Sequence, residues 1–153
     1  MTTFTKWFLL NAVLLTAIFF SETKGAISTM VKNDVSYLTI VIIVLYVIAS
    51  ALVGKLCYLA DRKKETRGKI LKRAEVGWFA AEHFFSLGLL GTVFGLCVAT
   101  STSLKEGSEV SDIVSGLKVG LNTAFYTTIC GIVFSLLLQV QLMILKFKLN
   151  PND

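Results

Sequence analysis

The chain has 153 residues, of which 54% are hydrophobic, 11% aromatic and 16% charged, with a mean hydropathy of +0.71. A soluble domain is nearer a quarter charged, and the chain as a whole is neither proline-rich nor charge-dense, so an ordinary soluble fold and a disordered chain are both excluded. Cys57, Cys97 and Cys130 are odd in number, far apart and set in apolar runs, which excludes a disulfide scaffold, and the net charge of +5 then concerns loop topology and not nucleic acid.

Four apolar runs follow in chain order. The first, Trp7–Phe20, predicts a span over 4–20. Lys6, the apolar stretch and the polar residues after it resemble a signal peptide, but no small-x-small cleavage site follows Phe20, so a retained span is expected. The second run, Leu38–Ala60, predicts a span over 38–60. The third, Phe84–Thr102 with Trp78 and Phe79 leading in, predicts 78–102. The fourth, Val119–Leu145, holds 27 residues without a charge and predicts a span over 117–145. At 1.5 Å of rise per residue, about 20 residues cross a hydrocarbon core of ~30 Å. In lipid each peptide group must be bonded within its own segment, which demands helices, and the runs lack the alternation of a β-barrel. The expected fold is an all-α integral membrane protein, a single membrane domain over 1–153 with four transmembrane helices.

The connecting segments set the orientation. Segment 61–77 holds Arg62, Lys63, Lys64, Arg67, Lys69, Lys72 and Arg73; with Lys6, Lys146 and Lys148 this makes ten cations on one side. The opposite side has four, Lys24, Lys32, Lys105 and Lys118. The positive-inside rule therefore places both termini and the basic loop in the cytoplasm, with Lys55 snorkelling at the inner end of the second span. Tyr37, Tyr58 and Trp78 fall at the expected interfaces. The basic loop sets topology, with contact to anionic membrane lipid as a secondary role. No loop exceeds about 17 residues, and none carries a phosphate loop, a catalytic triad or a metal cluster. No enzymatic role, cofactor or metal is expected; such a chain works inside the membrane or through partners.

The last two spans differ in kind from the first two. Gly91, Gly95 and Ala99 recur every four residues, with Gly88 just before; Gly116, Gly120, Ala124 and Thr128 do the same, with Thr127, Gly131 and Ser135 on a neighbouring ridge. Such stripes lie on one helix face and let backbones approach closely. They can pack helices within one subunit, or, as expected for a ring, between neighbouring subunits. Thr92, Thr127 and Thr128 add hydroxyls near mid-membrane. Each can bond back to the carbonyl one turn earlier, or together they can line a narrow wet path. No Asp, Glu, Lys, Arg or His lies near the middle of any span, and Glu82 and His83 stand only at the entrance of the third. An ion path usually needs an ionisable group at depth, so a partner would have to bring it.

Two motifs resemble a known family. SLGLLGTVFGL (Ser86–Leu96) resembles the third-helix motif of the MotA/TolQ/ExbB proton-channel family, closest to its ExbB/TolQ branch. GLNTAFYTTICGIV (Gly120–Val133) resembles the last helix, with Ala124, Thr128 and Gly131 at the matching positions and a Thr-Thr pair as in the MotA branch. The resemblance covers Phe84–Leu145. It implies a ring-shaped homo-oligomer, generally a pentamer, around a dimer of single-span partners of the MotB/ExbD/TolR type whose Asp binds the translocated proton or sodium ion. It further implies an inner-membrane motor driven by the proton motive force or a sodium gradient, with Thr92 and Thr128 facing the partner helix and Thr127 beside them. The chain departs from the pattern in three ways. The large cytoplasmic domain between helices two and three is replaced by a short loop, which argues against a flagellar role. The helix prolines are missing, Pro151 in the tail being the only proline, where the ExbB branch has one near Leu137. The acidic residue early in the last helix of that branch is Thr123 here. The rival reading is a small four-span scaffold or holin-like protein without coupled transport.

The topology is directly testable. In a Gly68→Cys variant, an impermeant thiol reagent added outside intact cells should leave residue 68 unlabelled and should label it once the cells are opened. Labelling from outside would reverse the assigned orientation.

Overall fold

Apolar segments that must bond their own peptide groups become helices, and the computed structural model, which describes residues 2–34, 36–103 and 110–149, contains helices and short turns only. The helices are α1 (Thr3–Thr23), α2 (Ala26–Asn33), α3 (Leu38–Asp61), α4 (Arg67–Ser103) and α5 (Val110–Leu149). All but α2 are long and apolar enough to cross a membrane.

Three features differ from the sequence expectation. The basic segment is not a loop for most of its length, because α4 begins at Arg67. Ile70 and Ala74 recur at helical spacing among the cations, and both are buried in the cluster that contains Leu142, Leu145 and Leu149 of α5. The segment is thus an amphipathic helix that continues the span. Thr66 opens it, its carbonyl accepting from Lys69 N–H at 2.9 Å, and Arg73 clamps the preceding turn with bonds of 2.9 Å to both Glu65 oxygens. The second difference is α2, which follows Gly25, a residue at φ +68° that glycine adopts without strain. Met30 of α2 packs onto the main cluster. The third is α5, already helical from Val110. Lys105 and Pro151 lie outside the described residues.

The turn between α2 and α3 is built around Asp34, which is 3% exposed. Its carboxylate accepts from Ser36 N–H at 2.9 Å, the Ser36 hydroxyl at 2.6 Å and Thr39 N–H at 2.8 Å; the last of these is a first-turn donor of α3 that has no partner in its own helix. At the other end of α3, Asp61 performs the same service for a different helix. Phe4 N–H donates to its Oδ2 at 2.7 Å, and Thr3 bonds to the same carboxylate. The start of α1 is therefore completed by the last residue of α3.

The antiparallel pair α4–α5 is the centre of the molecule. Its small-residue stripes meet each other. A side-chain carbon on Gly95 would come within 2.6 Å of Ala124 N and closer still to Gly120 O; one on Gly131 would lie 2.6 Å from Phe84 O; one on Gly88 would lie 3.1 Å from Thr127 O. Gly91 faces Thr127, Ala99 faces Gly120, and the Ser135 hydroxyl donates across the seam to Ala81 O at 2.7 Å. The expectation that these stripes join neighbouring subunits is corrected here. The two helices are sequential and antiparallel, so their complementary stripes meet within one chain. α3 packs along the opposite side of the pair, where the Tyr46 ring lies 4.6 Å from that of Phe134. α1 is outermost; its Trp7 ring sits on Gly54 of α3, and a groove of about 560 Å³ remains beneath it.

Gly95→Ala therefore forces backbone against backbone, and we expect a loss of about 1–3 kcal/mol of stability, read as a lowered unfolding temperature in mild detergent. Gly68→Ala, with nothing within 4 Å of the added carbon, should be neutral or slightly stabilising.

Candidate functional site

The seam fixes which hydroxyls turn inward and which reach its edge. Thr127 is 0% exposed and bonds back to Thr123 O at 2.8 Å and Ala124 O at 3.2 Å. Buried against Gly91, it shows no surface outside the α4–α5 seam within this chain. Thr128, one residue and about 100° further round the helix, is half-buried at the edge of the seam. It bonds to Ala124 O at 2.8 Å and across to Gly88 O at 3.3 Å. Thr92 of α4 bonds to the same Gly88 carbonyl at 3.3 Å, and the Thr92 and Thr128 hydroxyls bond to each other. The structure thus joins two of the three threonines into one cross-helix pair and separates the third.

The pair lies on the face of the hairpin that α1 and α3 leave uncovered. Phe85, Leu89 and Leu96 of α4 and Phe125, Ile132 and Leu136 of α5 share that face by helical spacing, and all are exposed. Glu82 opens onto it ten residues from Thr92. His83 turns away, its ring stacked on Phe79 at 3.8 Å with Nδ1 2.7 Å from Phe79 O. Thr123, at the position where the resemblance would set an acid, is 0% exposed and donates to Asn33 O at 3.0 Å. There it fastens α2 to α5. Among the described residues, no three His, Cys, Asp or Glu side chains gather as metal ligands.

On the opposite side of the molecule lies a polar cluster that periodicity did not single out. Gln141 of α5 is 0% exposed, its Oε1 accepting from Trp7 Nε1 at 3.2 Å and Ser50 Oγ at 3.0 Å, its Nε2 donating to Tyr46 OH at 2.9 Å. Ser50 is also 3.1 Å from Asn11 Oδ1. Three helices therefore converge on one carboxamide. The signal available in the sequence was Gln139 and Gln141 in the last apolar run and Asn11 in the first; polar side chains in such places seek partners on other helices.

The architecture is that of a multi-pass helical membrane protein, with two glycine-threonine helices facing away from the other two. The chain belongs to the MotA/TolQ/ExbB proton channel family, which matches over residues 64–150. The match takes in the helical basic segment as well as the two motifs. The family is a channel family and not an enzyme family. No curated protein and no solved structure matches the chain.

Replacing the hub of the polar cluster should loosen α1. Gln141→Leu roughly keeps the volume but leaves the Trp7 indole without its partner and removes one bond each from Tyr46 and Ser50, at an expected cost of about 1–2 kcal/mol. The measurement is thermal unfolding in detergent, together with loss of a disulfide cross-link engineered between α1 and α3.

Proposed function

We propose that this chain is the ring-forming subunit of an ion-driven membrane complex, in which a homo-oligomer, in the family's manner a pentamer, encloses a dimer of single-span partner helices. The translocated ion is a proton or sodium, and the membrane is the bacterial inner membrane with both termini on the cytoplasmic side. The observation that carries this reading is the Thr92–Thr128 pair, at mid-depth on the uncovered face of the hairpin. Among the described residues no Asp, Glu, Lys, Arg or His stands beside it at that level, so the pair suits a carboxylate supplied by an enclosed helix. Each hydroxyl can donate to a carboxylate or accept from a proton carrier. Membership of the channel family supports the same reading, as does the intramolecular glycine seam. With the stripes occupied inside each subunit, the bulky uncovered face remains for neighbours and partner.

One charge moving through 100 mV releases about 2.3 kcal/mol, and a lost buried hydrogen bond costs about 1–3 kcal/mol. Removing a hydroxyl from the path is therefore enough to stall a cycle. Thr92→Val and Thr128→Val should assemble normally yet lose ion flux by about ten-fold or more, since 1.4 kcal/mol is a factor of ten; Thr→Ser should retain part of it. The assay is ion flux into proteoliposomes containing the chain and the single-span protein that co-purifies in mild detergent, with the oligomer counted by native mass spectrometry. Wild-type flux in both Val variants, or purification of the chain with no single-span partner, would overturn the assignment.

A further inference from the structure

The uncovered face carries a second polar level that the hydroxyl pair does not explain. Near the basic end of the hairpin, Glu82 and Phe85 of α4 face Ile132, Ser135, Leu136 and Gln139 of α5 across a groove of about 400 Å³. The groove continues the line of the threonines: 82, 85, 89 and 92 share one face of α4, and 128, 132, 136 and 139 one face of α5. Ten residues separate Glu82 from Thr92 and eleven separate Gln139 from Thr128, so the two polar levels stand ~15 Å apart along the helices. Phe85, Leu89, Ile132 and Leu136 fill the interval. The face therefore reads polar, apolar, polar from mid-depth to the basic end.

The polar atoms of the lower level are disposed for a ligand. Ser135 Oγ is used within the seam, donating to Ala81 O at 2.7 Å and accepting from Gln139 Nε2 at 3.3 Å. That bond holds the carboxamide at the groove. Among the described residues no donor or cation engages the Glu82 carboxylate. The ligand is of cationic character, since the level offers a carboxylate and a carboxamide oxygen and no positive side chain. The surroundings give this charge a purpose. Arg67, Lys69, Lys72 and Arg73 open the same helix, and Lys146 and Lys148 close α5, so a cation leaving toward this end meets a positive field that a carboxylate at the mouth lowers.

We propose that Glu82, with Gln139, forms the basic-end cation site of the ion path, receiving the proton or sodium ion once it has passed the apolar interval below the threonine pair. The proposal rests on the reading of the uncovered face as that path. Each copy in a ring contributes one such site, and the ion binds the carboxylate reversibly and is released to water.

The test compares Glu82→Gln, Glu82→Asp, Gln139→Leu and Glu75→Gln in proteoliposomes with the co-purified partner, beside Thr92→Val and Thr128→Val. Flux is read with a proton dye in sodium-free buffer and with a sodium dye at constant pH, which separates the two ions. Glu75 is an exposed carboxylate near the same end that borders a different groove, with Trp78 and Lys146, so its variant controls for loss of surface charge. The expected result is a five-fold or greater loss of flux in Glu82→Gln and a smaller loss in Gln139→Leu. Glu82→Asp should keep more than half the activity, Glu75→Gln should behave as wild type, and the oligomer should stay intact throughout. Wild-type flux in Glu82→Gln, with flux lost in the Thr→Val pair, overturns this site and leaves the path standing. Wild-type flux in the Thr→Val pair overturns the path and this site with it. Loss of the oligomer in both Glu82 variants assigns the carboxylate to subunit pairing and overturns the proposal.

Discussion

Two helices in a bilayer gain nothing from hiding apolar surface from one another, because the lipid around them is as apolar as they are. Close backbone contact and a few cross-helix hydrogen bonds must hold them together, and in this protein that contact is the seam of Gly88, Gly91, Gly95 and Ala99 against Gly120, Ala124, Thr127 and Gly131. The seam sets the rotation of both helices about their axes. Every other azimuth follows from it: which threonine is hidden, which reaches the edge, which side is left for α3. Ser135, bonded to Ala81 O at 2.7 Å, fixes the register along the same line.

The remaining helices are attached by different means. α3 is packed by bulk, with Ile42, Tyr46 and Val53 buried against the hairpin. α1 is attached largely by polar contacts, at Asp61 and Gln141, with a wide groove under its middle. This division suits the proposed function. A face that passes ions would need a rigid support behind it, and the hairpin with α3 supplies one. α1 can be held by a few directed bonds because nothing on the uncovered face depends on its exact seat.

Much of this was legible in the sequence. Hydropathy over a long window finds membrane helices without reference to packing, and spacing by four identifies a close-approach face. Spacing does not say which face it meets, so the sequence alone leaves the glycine stripes within or between subunits, and the structure shows them meeting within one chain. Thr127 and Thr128 are adjacent in sequence, and only the seam shows that one turns in and the other out. The helix over Arg67–Gly77 was hidden by its own charge: the cations dominate the composition, while the packing signal is carried by Ile70, Leu71 and Ala74. The Gln141 cluster was not legible, since its partners lie 134, 95 and 91 residues away. Thr123 shows the opposite case, a position that the family pattern marks for chemistry and that this fold uses as a peg for α2.

The bonds that finish α1 impose an order on biogenesis. The carboxylate that completes its first turn is 57 residues downstream of Phe4, and the carboxamide that receives Trp7 is 134 residues downstream of Trp7. A ribosome adding about 5–20 residues per second takes on the order of ten seconds to make that second interval. During that time α1 stays in the bilayer with its indole N–H unmatched by any residue yet synthesised. α3 can receive α1 first, through Asp61, Gly54 and Ser50, and the seat is completed only when Gln141 has entered with α5. A ribosome stalled before residue 141 would leave α1 held by α3 alone, with its indole still lacking the carboxamide that it meets in the finished chain.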